Sequence, residues 1–109
     1  MIKFAYMINR LNGMSIEDFV DHHRNKHVPL FKSIPEAGLY VRRYTVSHPV
    51  AAPNQPPPAY DGLTEIWFDS FADYDAFYTS KNYLDKVKPD ETWFKLEGVM
   101  VTDELVAIE

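Results

Sequence analysis

Cysteine is absent from the 109-residue chain, which removes disulfides, thiolate nucleophiles and cysteine-based zinc sites together. Positive charge is scarce: eleven lysines and arginines against sixteen acidic residues leave a formal net charge of −5. With no basic stripe to follow a phosphate backbone, nucleic acid is not an expected partner, and an anionic membrane is disfavoured for the same reason. Long apolar runs are missing as well, so no segment approaches the ~20 residues of a membrane-spanning helix. The start, Met1 to Tyr6, lacks the apolar core and small-residue cleavage site of a signal peptide, which makes a cytoplasmic protein the expectation. Neither a glycine-rich phosphate loop nor a serine nucleophile elbow is present, so the chain offers little for phosphoryl transfer or serine-based covalent catalysis.

What the chain does have is apolar and aromatic weight, 46% and 15% of residues, enough for one domain over residues 1–109 with a modest core. It also has a concentration of imidazole: His22, His23 and His27, three of the four histidines, fall within six positions. Ile16, Phe19, Val20, His23, His27 and Leu30 follow helical spacing, which puts His23 and His27 on the core-facing stripe. His22, turned by roughly 100°, is expected on the wetter side beside Asp18, Asp21 and Lys26. Burying two imidazoles one turn apart desolvates both and opposes their joint protonation, placing them where general acid/base chemistry operates. A structural pair, each ring satisfied by the backbone, is the plainer alternative.

The remaining pattern is a strand over about Ile2–Asn9, a turn at Asn12-Gly13, and a helix opened by Ser15 with Asp18 three residues on, a capping-box-like start. Pro29 is expected to kink or end that helix. Leu39 to His48 reads as a second strand from its aromatic and β-branched residues. Residues 49–61 carry five prolines and should form an exposed, extended loop, suited to a lid or a subunit-crossing arm. Its Pro53-x-x-Pro56 spacing is too short a pattern to indicate a proline-recognising partner. Leu63–Phe68 gives a third strand, and Ser70 with Asp73 opens a second helix carrying Phe71, Tyr74, Phe77 and Tyr78, expected as core. A broken helical region around Tyr83, Leu84 and Val87 should stop at Pro89, with Asp90 capping a last turn, and Val99–Ile108 reads as a fourth strand. This βαββαβ order predicts an α+β, ferredoxin-like fold in which two helices cover one face of a four-stranded antiparallel sheet. Nothing in so short a chain remains to cover the other face, which predicts a homodimer joined through the sheets.

Several segments carry a family likeness: Met14 to Phe19, His23-x-x-x-His27-x-Pro29-Leu30, Gly38-Leu39 leading to Tyr44, Asp61 to Phe68, Asp90-Glu91-x-x-Phe94, and Thr102 to Val106. On these the chain resembles the EthD family of dimeric α+β barrels, nearly end to end, and within it proteins of the methylmuconolactone methylisomerase kind. The resemblance implies that His27 takes the position of the family's histidine. His23 departs from the pattern, since many relatives carry an aromatic residue there, commonly tryptophan. The family includes cofactor-free isomerases, cyclases, dehydratases and decarboxylases acting on lactones and on cyclic or polyketide-derived aromatic intermediates.

Residues and resemblance together predict a cofactor-free isomerase or lyase acting on a small, mostly apolar, oxygenated ring compound. His27 is the expected general base, and His23 returns a proton or polarises an oxygen. Tyr6, Tyr44 and Tyr60 are the candidate phenols for a carbonyl or enolate, and Trp67 a candidate flat wall. Two other classes compete. Histidines at i and i+4 are able to share a metal or to bind haem, with His48, Asp61 or Glu65 as candidate third ligands. A non-catalytic carrier of a hydrophobic intermediate needs the cavity but not the imidazoles.

Overall fold

The computed structural model describes residues 1–109. The chain opens with β1 (Ile2–Arg10) and, after a turn in which Gly13 takes φ +85°, enters α1 (Ile16–His22). The hydroxyl of Ser15 accepts the Asp18 backbone N–H at 3.1 Å, half of the expected capping box. The helix then widens into a π-helical turn, His23–His27, and returns to α geometry in α2 (Val28–Ser33). A short α3 (Pro35–Tyr40) leads to β2 (Val41–Ser47), and the proline-rich segment carries the chain to β3 (Gly62–Phe68). Next come α4 (Phe71–Tyr78), a second π-turn (Tyr83–Val87), a 3₁₀ helix (Lys88–Trp93) and β4 (Phe94–Asp103).

The four strands form one antiparallel sheet in the order β2-β3-β1-β4, the split-βαβ arrangement expected. Alternation along β1 and β3 sends Phe4, Tyr6, Ile66 and Phe68 to the helix side. There Ile66 and Phe68 join Phe31, Ile34, Phe77, Tyr83 and Val87 in the main core. A second, smaller core of Ile8, Phe19 and Trp93 lies where α1 meets the sheet, and Tyr6 packs against both. Gly62 allows this closeness: a Cβ there would lie 3.1 Å from Ile8 and 3.5 Å from Phe19. The opposite face carries Lys3, Met7, Glu65, Trp67 and Met100 by the same alternation.

Four expectations are corrected. Pro29 does not end the first helix, nor Pro89 the second helical region. Each follows a π-turn, closed by Val28 N–H to the His23 carbonyl and by Lys88 N–H to the Tyr83 carbonyl. The wider turn shifts the carbonyls that a proline ring would otherwise strike and needs no proline N–H. Leu39 and Tyr40 belong to α3, because Pro35 is a favourable first helical residue. The last strand begins at Phe94 rather than Val99, pairing from Arg10↔Phe94 to Ile2↔Asp103 with a register shift between Met7 and Ile8. That shift breaks the simple alternation of the sequence. Leu105, Val106 and Ile108, read as strand, lie beyond it and are exposed. Residues 49–61 form no part of the sheet and are almost wholly exposed, as expected. No helix is long and apolar enough to cross a membrane.

Tyr44 stacks on Phe31 at 4.2 Å between ring centres, and its hydroxyl is buried without a hydrogen-bond partner. An unpartnered buried hydroxyl costs about 1–3 kcal/mol. Tyr44→Phe should therefore stabilise the protein by about 1 kcal/mol, raising Tm by several degrees in a thermal melt. A clear drop in Tm would show that the phenol has a partner in solution.

Candidate functional site

Helix packing against Trp93 gathers the three helix histidines around one indole. Its ring centre lies 4.8 Å from that of His22, 5.0 Å from His23 and 5.6 Å from His27. His23 and His27 are 1% and 2% exposed, on the shared face that the spacing predicted, with ring centres 6.2 Å apart.

Each buried imidazole is held at Nδ1 by a different kind of partner. His27 Nδ1 lies 2.9 Å from Asp90 Oδ2. A carboxylate accepts, so that nitrogen donates, and a neutral His27 keeps its lone pair at Nε2. His23 Nδ1 lies 2.9 Å from His48 Nε2, and Arg24 Nε donates to His48 Nδ1 at 3.0 Å. A guanidinium only donates, so His48 Nδ1 accepts and a neutral His48 carries its proton on Nε2, donating to His23 Nδ1. His23 is left with its N–H at Nε2. The two rings therefore carry opposite free functions, a lone pair on His27 and an N–H on His23. Burial above all holds His23 far down, to about 3, with His48, His27 and the Arg24 charge adding to it. His48 is lowered by burial and then by Arg24. Both effects favour the neutral forms that the hydrogen-bond chain requires.

His22 departs from expectation. Instead of pointing to solvent, its Nε2 donates to Asp90, 3.2 and 3.1 Å from the two oxygens. One carboxylate thus secures two histidines, and the contact with Trp93 draws the ring inward. Asp90, anticipated as a helix cap and as part of the family likeness but given no place in the site, and Trp93 are the residues that sequence reasoning missed. No periodicity marks them, and the signal available was an acidic pair next to a tryptophan in Asp90-Glu91-Thr92-Trp93.

The 3₁₀ helix divides two environments. Asp90 and Trp93 face the histidines, whereas Lys88 and Glu91 line a cavity of about 440 Å³ on the helix side of the sheet. Phe4, Tyr6, Tyr78 and Tyr83 form much of its wall, and no histidine lines it. Tyr6 stacks on Phe94, 6.5 Å between centres, and Phe94 meets Trp93 at 4.9 Å, so these rings stand between cavity and imidazoles. Burial pushes the Tyr6 phenol up to about 12, and the same cause raises Tyr44 still further.

The other candidates are dispersed. Tyr44 lies in the main core beside Phe31. Tyr60 lines a separate cavity of about 360 Å³ together with His48, Met7 and Leu63. Trp67 faces away from the helices, its Nε1 donating to Glu104 at 2.8 Å and the Arg43 guanidinium 4.9 Å from its ring centre. Of the candidate third metal ligands, His48 reaches His23, Asp61 accepts the Arg10 backbone N–H at 2.9 Å, and Glu65 pairs with Lys3 at 2.8 Å. No three His, Asp or Glu side chains are arranged to hold one ion.

The sheet order, the helices on one face and the paired imidazoles define an α+β domain of the split-βαβ class. The EthD domain model matches residues 11–95, and the chain belongs to the EthD family. Solved structures agree in fold. HapK from Hahella chejuensis superposes with a TM-score of 0.69 at 16% identity, covering 100% of this chain and 97% of that one. An EthD-family protein from Bacillus halodurans C-125 gives 0.69 at 16% identity, covering 96% and 100%. An EthD-like protein from Ralstonia eutropha JMP134 gives 0.71 at 19% identity, covering 99% and 93%. No curated protein matches the chain.

The depressed His23 has a consequence for stability. Unfolded, the ring titrates near its ordinary value of 6.5; folded, near 3. Between those values the unfolded chain binds the extra proton, so the stabilisation present above 6.5 is lost as pH falls towards 3. Just below 6.5 the loss should be about 1 kcal/mol per pH unit, with His48 adding in the same direction. Urea unfolding at pH 7.5 and 5 should show the drop, and His23→Gln should flatten it. An unchanged slope in that variant would mean that His23 is not held neutral.

Proposed function

We propose that this protein is a small cofactor-free enzyme of isomerase or lyase type, acting by proton transfer on a mostly apolar, oxygenated ring compound. The observation that carries the reading is the opposed state of the two buried imidazoles. Asp90 fixes His27 as a proton acceptor at Nε2, and His48 fixes His23 as a donor at Nε2. His27 takes a proton activated by a neighbouring carbonyl and, as the imidazolium, returns it to the substrate, while the His23 N–H donates a hydrogen bond to the oxygen on which charge develops. Because His23 is kept neutral, it acts as a hydrogen-bond donor rather than as an imidazolium.

The substrate occupies the cavity of about 440 Å³, a size within the range of small-molecule sites. Of the three phenols that the sequence suggested, Tyr6 lines it, while Tyr44 and Tyr60 lie outside that wall. Phe94 and Trp93 stand between this cavity and His27, so the reading requires both rings to move before a bound ring meets the base. A carrier would use the same cavity, but nothing in carriage calls for two imidazoles held in opposite tautomers.

Purified protein should be checked for metal and screened against unsaturated lactones and polyketide-like phenols by ultraviolet absorbance. His27→Asn should lower kcat by roughly 10²–10⁴-fold, and Asp90→Asn by a smaller factor through loss of the fixed tautomer. Ligand binding without turnover in any form would replace the enzyme reading with a carrier. Turnover that persists in His27→Asn would remove His27 from the chemistry.

The sheet face without helices is, in this reading, covered by a second copy of the chain. Met100 on that face is 56% exposed, and Met100→Lys should convert a dimer into a monomer in sedimentation velocity. A wild-type chain that sediments as a monomer would refute the pairing.

A further inference from the structure

The proton-transfer reading leaves one hydrogen-bonded pair in the cavity unused. Tyr83 donates its hydroxyl to Glu91 Oε1, and both residues line the cavity. Tyr83 is only 6% exposed, anchored in the main core against Phe77. It therefore holds the Glu91 side chain in one orientation, while Oε2 receives no hydrogen bond from the chain and is not among the buried unpartnered atoms. A half-buried carboxylate with one oxygen fixed and the other open is an acceptor that demands a donor from whatever enters.

The surrounding wall specifies the rest of the ligand. Phe4 meets Tyr74 and Tyr78 edge to face, 5.4 Å between centres in each case, so the cavity presents ring faces and edges suited to a planar aromatic guest. Lys88, the other charged lining residue, is exposed at the rim. We propose that the cavity binds a planar hydroxylated aromatic or enolic compound of one or two fused rings, and that Glu91, positioned by Tyr83, selects it by accepting a hydrogen bond from the ring hydroxyl.

The inference rests on the reading above for the place of the substrate, but its test measures binding alone. Titration calorimetry compares 2-naphthol with 2-methoxynaphthalene, a close analogue that cannot donate. Wild-type protein should bind the naphthol roughly tenfold or more tightly, the discrimination expected of a hydrogen bond to a charged acceptor. Glu91→Gln should reduce that ratio several-fold while leaving the affinity for the ether within about twofold, since the wall is unchanged. Equal affinity of both compounds for the wild type would overturn the selection, even if the variant failed to fold. Failure of both to bind would overturn the cavity as the site. Because no turnover is read, loss of the histidine mechanism and loss of this inference are separate results.

Discussion

Two imidazoles buried side by side on one helix are the constraint around which this fold is arranged. An uncompensated polar group in a dry interior costs more than most single contacts return, so each ring needs a partner that its own helix does not supply. The chain brings Asp90 from 63 residues away and His48 from 25 residues away to meet Nδ1 of His27 and of His23. Those contacts tie the end of β2 and the 3₁₀ helix to the first helix. They also specify which proton each ring carries. Packing and chemistry are the same interaction here: the partners that make the histidines tolerable in the core also set them in opposite states.

The π-turns make the arrangement possible. Each sits two residues before a proline, at Pro29 and at Pro89, and each lets the helical path continue where the proline would have ended it. The first holds His23 and His27 themselves. The second delivers the chain into the 3₁₀ helix, whose tight pitch turns neighbouring residues to opposite sides. Asp90 reaches the histidines and Glu91 reaches the cavity, so one short element serves both a polar cluster and a ligand-sized space.

Much of the fold was legible because it follows periodicity. The alternation in β1 and β3, the Ser15 and Ser70 caps and the helical stripe through His23 and His27 are local patterns, and the structure keeps them. The proline-rich stretch was equally plain, since repeated loss of backbone donors leaves few alternatives to an exposed loop. The fourth strand was misplaced because its pairing with β1 includes a register shift, and an edge strand is fixed by its partner's backbone as much as by its own side chains. The stop expected at Pro89, and the end that was one of two outcomes expected at Pro29, were misplaced because the widened turn depends on hydrogen bonds five residues apart, which composition does not announce.

The site was legible in part for the same physical reason. Helical spacing is sufficient to pair His23 with His27, but their partners come from distant segments, and a three-dimensional meeting leaves no periodic trace in one chain. His22 shows the limit most clearly. On an isolated helix it belongs to the wet side; in the folded protein the carboxylate of Asp90 and the face of Trp93 offer it more than water does. A residue's environment is decided by what arrives opposite its helix, and here an acid and an indole three positions apart on the 3₁₀ helix, Asp90 and Trp93, arrive together. The same pairing reaches His27, whose Nδ1 meets the Asp90 carboxylate and whose ring lies beside Trp93, so that His22 and His27 share one acid and one indole.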